Sequence, residues 1–286
     1  MSGCWIVEIL FFVLLLIGAL LHAYWNFILK SAADKAVAVM SIFFTSLPFA
    51  LFGLVFSGMP KFEFLPVILL SAILHTCYNI TLFKTYEIGQ LSSSYPIARG
   101  TAPLVIFVIS FTLFDAKISN NQAAGIILIC TGLFTYGLLQ LRRNHSHFRE
   151  FTLASLIGLF IALYSFTDSF GTKITGNALS FLGIMALFNR VFLFLYLYIF
   201  EKNFLPRLIS GFERRFILGG MISFTCYIIV LAAYMHLPVV IVSTIRETSI
   251  VFAVALGVVF LKEKLGWDKV ALVAVVLSGL YILSPV

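Results

Sequence analysis

Ten long apolar runs, separated by short polar connections, make up nearly all of this 286-residue sequence. A helix needs about 20 consecutive apolar residues to cross the hydrocarbon core of a bilayer, and each run is about that long. The runs predict transmembrane spans at residues 5–30, 35–57, 64–87, 90–113, 120–140, 150–173, 178–201, 213–236, 239–261 and 266–284. The predicted fold is therefore an all-α polytopic membrane protein.

Composition excludes the main soluble alternatives. Apolar residues make up 61% of the chain and charged residues only 11%, which excludes a disordered chain, a nucleic-acid-binding module and a soluble enzyme. The net charge of +7 is instead attributed to cytoplasmic loops. The four cysteines are widely separated and form no cluster with histidines, so no disulfide framework, metal site or cofactor is predicted.

The distribution of Lys and Arg predicts the orientation. Twelve of the 19 basic residues fall in odd-numbered connections, three fall in even-numbered ones and four lie within spans. Basic connections stay on the cytoplasmic side. With ten spans, both termini are therefore predicted to lie outside.

Weak similarities between the two halves of the chain predict an internal duplication. The tripeptide at residues 76–78 recurs at 225–227, Arg99 in span 4 has a counterpart in Arg246 of span 9, and glycines recur in matching spans. The predicted repeats are residues 1–144 and 145–286, with five spans each. Because five is odd, the second repeat must insert upside down relative to the first, as in many secondary transporters.

These features resemble the EamA family of the drug/metabolite transporter superfamily, over the whole chain as two halves. The resemblance lies in residues 23–26 (Ala-Tyr-Trp-Asn) with Lys30, in residues 95–96 (Tyr-Pro), and in residues 259–265 (Val-Phe-Leu-Lys-Glu-Lys-Leu), where Glu263 is the usual family glutamate. At the corresponding place in the first half that glutamate is absent, and Asp115 replaces it only in part.

The resemblance implies ten helices around a central cavity lined mainly by spans 1, 3, 4, 6, 8 and 9. It also implies transport of a small organic solute such as an amino acid, nucleotide precursor, sugar or drug. Some relatives of this length sit beside phosphonate-use genes. The implied location is a bacterial inner membrane.

Charged residues inside spans are costly and are therefore the main candidates for function. Arg99 and Arg246 are interpreted as two guanidinium groups that bind an anion in a shared cavity. The alternative is an internal salt bridge of either arginine with Glu247. Residues 96–103, which include two prolines and a glycine, are expected to break or kink span 4 and expose backbone groups.

Three further charged residues have open alternatives. Arg190 in span 7 either binds substrate or forms a structural pair with Asp168 in span 6. Lys84 is expected to reach toward the membrane interface, with a cavity-facing position as the alternative. Asp168 and Glu247 are also candidates for proton coupling, because burial favours the neutral form of a carboxyl group.

Polar and aromatic stripes supply weaker candidates. His22 and Asn26 share one face of span 1, and they either line the cavity or contribute to helix packing. Tyr78 and Tyr227 are candidate cavity walls, with ordinary packing as the alternative. Trp25 is interpreted as an interface anchor.

These observations predict a non-enzymatic secondary transporter of an anionic or zwitterionic organic solute, working by alternating access. The alternatives are a lipid-modifying membrane enzyme and a non-transporting scaffold. The sequence lacks the paired acidic or histidine clusters of such enzymes and the phosphate-binding loop of ATPases. Proton or ion coupling and a homodimer are left open, and no nucleic acid partner is predicted.

Overall fold

The computed structural model describes residues 2–88, 91–113, 118–143, 148–260, 262 and 264–284. These residues form helices and no strands. The α-helices are α1 Ser2–Ser31, α2 Lys35–Ser57, α3 Leu65–Ile88, α4 Leu91–Leu113, α5 Asn120–Arg143, α6 Phe148–Thr175, α7 Ala178–Phe200, α8 Phe204–Ser210, α9 Arg215–Tyr234, α10 Val239–Arg246, α11 Ser249–Phe260 and α12 Trp267–Leu283.

Nine candidate membrane spans lie within the described residues, and α10 and α11 together form one of them. The tenth predicted span corresponds to α12, which has 17 residues and is slightly short for a perpendicular crossing. The short helix α8 lies in the connection between the spans α7 and α9. Large apolar side chains such as Phe52, Val55 and Phe200 are exposed on the outside of the bundle, as expected for a surface that contacts lipid.

Short capped connections join the spans. Asp34 precedes α2 and its carboxylate accepts a hydrogen bond from the backbone N–H of Val37 at 3.1 Å. Asn177 caps α7 in the same way through the N–H of Leu179 at 2.9 Å. Gly58 and Gly176 have φ angles of 80° and 68°, which glycine adopts without a Cβ clash, so the chain reverses within a few residues.

Most helix packing joins the first half of the chain to the second. α1 packs against α9 and α11, α2 packs against α7 and α9, and α3 packs against α6 and α7. α4 packs against both α5 and α6, and α5 packs against α12. The interior of the bundle is therefore an interface between the halves.

Span 4, which was predicted to break or kink, is not broken, and a different span is interrupted. α4 runs continuously through Pro96 and Pro103. A proline removes one backbone hydrogen bond and bends a helix, but neighbouring helices allow it to continue. Span 9, which has no internal proline, is instead divided after Arg246, and Ser249 begins α11.

Candidate functional site

A cavity lies in the middle of the bundle, lined by residues of α1, α2, α3, α6, α7, α9 and α10. We call it the central cavity. Six aromatic side chains form much of its wall: Trp25, Phe43, Tyr78, Tyr164, Phe224 and Tyr227.

Trp25 and the lining helices differ from the sequence prediction. Trp25 is 4% exposed and lines the central cavity, so its interpretation as an interface anchor is wrong. Among the described residues, α2 and α7 contribute to the lining, while span 4 does not. This difference arises because α2 and α7 pack against α9 and α3 and close the cavity between them.

Arg246 brings a positive charge into the central cavity at the interrupted span. It is the last residue of α10, where the free carbonyls of a helix end favour a cation. Its guanidinium carbon lies 6.0 Å from the centre of the Tyr227 ring. The side chain is buried, and its Nη1 atom has no hydrogen-bond partner among the described groups. A buried donor of this kind is costly unless something binds it.

The turn that follows Arg246 is stabilised by its own backbone. The N–H of Glu247 donates to the carbonyl of Thr244, and the N–H of Thr248 donates to the carbonyl of Ile245, both at 3.1 Å. These i→i+3 bonds tighten the chain into a 3₁₀-like turn and satisfy polar groups that the break would otherwise leave unpaired. The position of Arg246 is therefore fixed.

Arg99 lies beside the central cavity and is paired within the protein. Its Nη1 atom is 3.4 Å from Oε1 of Glu247, in an ion pair between α4 and the turn after α10. Its guanidinium also contacts the imidazole of His22 and lies 5.0 Å from the centre of the Tyr95 ring. Sequence analysis left two interpretations of Arg99, an anion-binding group or a partner in an internal salt bridge with Glu247. The geometry matches the internal salt bridge.

His22 and Asn26 form one unit on α1. His22 lines the central cavity. The Asn26 amide, 3.0 Å from the His22 ring nitrogen, also donates to the His22 carbonyl at 2.9 Å. Asn26 is therefore behind His22, where it holds the imidazole in place.

Arg190 faces the central cavity, and the alternative in which it pairs with Asp168 is wrong. Its guanidinium donates to the carbonyls of Phe43 and Ala186 and to the hydroxyl of Ser46, at 3.2, 3.1 and 2.7 Å. Arg190 lies on the side of α7 that packs against α2, whereas Asp168 is directed toward α3 and α9. All its observed acceptors are neutral, so its charge is not balanced by them.

Asp168 is completely buried and accepts hydrogen bonds from two other helices. Ser71 and Tyr227 donate their hydroxyl groups to its carboxylate. Nε2 of His75 lies 2.9 Å from Oδ2 of Asp168 and 2.9 Å from the hydroxyl of Tyr227. The cluster therefore joins α3, α6 and α9 directly beside the cavity wall.

Two residues of the cluster, Ser71 and Tyr164, were not among the candidates predicted from the sequence. The ring of Tyr164 stacks on His75 with 4.0 Å between ring centroids. A usable signal was present, because Tyr164 and Asp168 are four residues apart and share a helix face, as do Ser71 and His75.

Lys84 lies away from the central cavity. Lys84 is exposed on α3, with its ammonium 5.2 Å from the centre of the Tyr196 ring, as expected for a side chain directed outward. Asp115 and Glu263 lie outside the described residues.

Comparison with known proteins identifies the second half. Residues 149–284 match the model of the EamA-like transporter family. The chain carries an EamA domain. The predicted resemblance is thereby confirmed for this part of the chain, and the domain together with the apolar helices indicates an integral membrane protein.

No curated protein sequence matches the chain. A solved structure titled "Crystal structure of protein" is similar over 96% of this chain and 96% of that chain, with a TM-score of 0.68 and 14% sequence identity. At that identity the likeness concerns the fold alone.

The EamA domain supplies most of the charged groups around the central cavity. Arg190, Arg246, Asp168 and Glu247 lie within it, while Arg99 belongs to the preceding half. Among the described residues, these three arginines and two carboxylates give the region an excess of positive charge when His22 and His75 are neutral. The arrangement suits binding of a negatively charged group.

Proposed function

We propose that the chain is a secondary transporter that carries a small anionic or zwitterionic organic solute through the central cavity by alternating access. The observation that carries this proposal is Arg246, a buried cation with an unpartnered Nη1 atom in the cavity wall. A carboxylate, sulfonate or phosphonate oxygen is the acceptor that a guanidinium binds best.

Five side chains surround the solute in this proposal. Arg246 binds the anionic group and Arg190 adds a second, more distant positive charge. Tyr78 and Tyr227 contact the organic part of the solute through their rings. His22 completes the polar wall, with Asn26 holding its ring.

Arg99 and Glu247 act as a pair in this proposal. Their ion pair connects the first half of the chain to the turn that carries Arg246. A solute anion that approaches this turn competes with Glu247 for the two guanidinium groups. The pair therefore links solute binding to the position of the interrupted span, and Glu247 and Asp168 are the carboxylates available for proton coupling.

The helix packing supports two inverted repeats of five spans, 1–144 and 145–286. The correspondence pairs α1 with α6, α2 with α7, α3 with α9, α4 with α10–α11 and α5 with α12. The most extensive contacts between the halves then have counterparts. α1 packs on α9 as α6 packs on α3, α2 packs on α9 as α7 packs on α3, and α1 packs on α11 as α6 packs on α4. Such a pair of repeats can rock about a site near the midplane.

Thermal unfolding of the purified chain in detergent tests the proposal. Benzenesulfonate is a permanent anion, benzenesulfonamide is its neutral counterpart, and benzylamine is a cation. Amino acids and phosphonates extend the panel. We expect anions or zwitterions to raise the midpoint of unfolding, because a ligand that binds only the folded state stabilises it by about 2.7 kcal/mol at one hundred times its Kd.

The matched variants are Arg246→Ala and Lys84→Ala. Each removes one cation, but only Arg246 lies in the central cavity. Arg246→Ala should abolish the stabilisation by anions, and Lys84→Ala should retain it. Stabilisation by cations alone, or stabilisation by anions that persists in Arg246→Ala, would overturn the proposal.

A further inference from the structure

The cluster around Asp168 places a histidine and a carboxylate in the same buried space, next to the proposed solute site. Asp168 is 0% exposed. Its carboxylate accepts hydrogen bonds from the hydroxyl groups of Ser71 and Tyr227, and Nε2 of His75 lies 2.9 Å from its Oδ2 atom. The imidazole of His75 has a second ring nitrogen, Nδ1, that can take up a proton.

Tyr227 connects this cluster to the solute site. Its hydroxyl contacts both His75 and Asp168, while its ring lies 6.0 Å from the guanidinium carbon of Arg246. The same ring lines the central cavity. The side chain of Tyr227 therefore lies between the charged cluster around Asp168 and Arg246, the cation that binds the solute in the proposed function.

We infer that His75 and Asp168 form a proton-binding site that couples proton uptake to anion binding in the central cavity. This inference rests on the proposed function. With His75 neutral, the cluster carries the negative charge of Asp168, which repels an anion at Arg246. A proton taken up by the imidazole of His75 forms an imidazolium–carboxylate pair and cancels that charge.

By linkage, a proton that strengthens anion binding is itself bound more strongly when the anion is present. Binding of a permanent anion should therefore draw protons from solution, up to one per chain. The affinity should rise as the pH falls, with a limit of about tenfold in Kd per pH unit for a single proton.

The charged and polar side chains around His75 are compatible with coupling between proton uptake and anion binding. α6 contributes Asp168 and Tyr164, α9 contributes Tyr227, and α10 contributes Arg246. α7 contributes Arg190, which also lines the central cavity and is held by neutral acceptors. A protonated His75 is thus balanced by Asp168, while the two arginines stay available to an anion.

Proton uptake on binding of benzenesulfonate tests the inference in weakly buffered detergent solution. A pH-indicator dye reports the protons, and benzenesulfonate itself does not titrate. We expect uptake by the wild-type chain and no uptake by His75→Gln or Asp168→Asn, whose affinity should no longer depend on pH. The control is His236→Gln, which changes an exposed histidine that stacks on Phe11 and should leave the uptake unchanged.

The possible results are distinguishable. If benzenesulfonate stabilises the wild-type chain without proton uptake, or if His75→Gln takes up protons as the wild type does, the inference is overturned and the proposed function stands. If no anion stabilises the chain, the proposed function fails and the inference fails with it. The wild-type measurement decides these cases even if His75→Gln does not fold.

Discussion

Arg99 and Glu247 are 3% and 1% exposed, so both charged side chains are buried, and they form one ion pair. Removal of charges from water costs several kcal/mol per ion, so each charge depends on the other. The pair also joins α4 to the turn after α10, across the two halves of the chain.

We therefore predict that Glu247→Gln lowers stability by about 3–5 kcal/mol, because it leaves Arg99 buried without an ionic partner. The double variant Arg99→Met with Glu247→Leu should recover most of that loss, since it removes both charges. Thermal unfolding in detergent measures the difference. The control Glu63→Gln breaks an exposed pair with Lys61, 3.5 Å long, and should change stability little. A double variant as unstable as Glu247→Gln would contradict the prediction.

Sequence reasoning found the buried charges but not their partners. Arg99, Arg190, Arg246, Asp168 and Glu247 were identified because an ionisable residue deep in a span is costly wherever it points. Partner choice depends on how each helix is rotated and which neighbours it crosses. For that reason the acceptors of Arg190 proved to be carbonyls and a hydroxyl of its neighbours.

At the scale of helices, the span positions were predictable because hydropathy reports them directly. The interruption of span 9 was not, because neither proline nor glycine marks it. The turn depends on i→i+3 hydrogen bonds from Glu247 to Thr244 and from Thr248 to Ile245, and on its contact with Arg99. These are tertiary and local backbone effects that hydropathy does not contain.

Close helix contact at glycine allows a prediction at the same scale. A Cβ at Gly220 on α9 would lie 2.7 Å from the carbonyl oxygen of Ile42 and 2.8 Å from the backbone nitrogen of Ser46 on α2. The backbones must then separate, so Gly220→Ala should cost about 1–3 kcal/mol. Unfolding in detergent provides the measurement.

Gly18→Ala is the matched control for that variant. Its added Cβ would meet side-chain and backbone atoms of α9 at 3.7 Å or more, which is ordinary contact. Alanine is a better helix former than glycine, so stability should stay the same or rise by up to about 1 kcal/mol. Equal effects of the two substitutions would mean that helix separation does not limit stability here.

At the scale of the whole molecule, the number of spans determines whether both termini lie on one side of the membrane. Ten spans place them together and nine place them on opposite sides. We predict that both lie outside, with α12 as the tenth crossing. Alkaline phosphatase should therefore be active, and green fluorescent protein dark, when either is fused at residue 286. A bright C-terminal fluorescent protein would contradict the ten-span prediction.

Hydrogen bonds and ion pairs join the two halves of the chain at one end of the central cavity. Arg207 in α8 donates to Asp34 in the α1–α2 connection at 2.8 Å, and it also pairs with Glu201. Arg215 donates to the hydroxyl of Ser31 at 2.7 Å. The hydrogen bond with Asp34 raises the pKa of Arg207 above its usual range, so the guanidinium holds its proton more firmly in this contact. Alternating access requires such contacts to break when this end opens.

Arg207→Asp should therefore open this end more often, because it places an aspartate beside Asp34 and Glu201. The readout is Cys226, which is buried in the wall of the central cavity, in a background where the other three cysteines are serine. We expect faster labelling of Cys226 by a membrane-impermeant maleimide added on the side of Asp34. The charge swap Asp34→Arg with Arg207→Asp should return labelling to the wild-type rate.

Arg143→Asp is the matched control, since Arg143 pairs with Asp268 at 2.7 Å between α5 and α12, and neither helix lines the central cavity. Reversing that charge should leave labelling of Cys226 unchanged. If Arg207→Asp also leaves it unchanged, the contact between Asp34 and Arg207 does not hold the cavity closed. Separation of α8 from the α1–α2 connection should expose the cavity at the end where Asp34 lies. Labelling of Cys226 that rises only when the maleimide is added on the opposite side would therefore place the gate at the other end of the bundle.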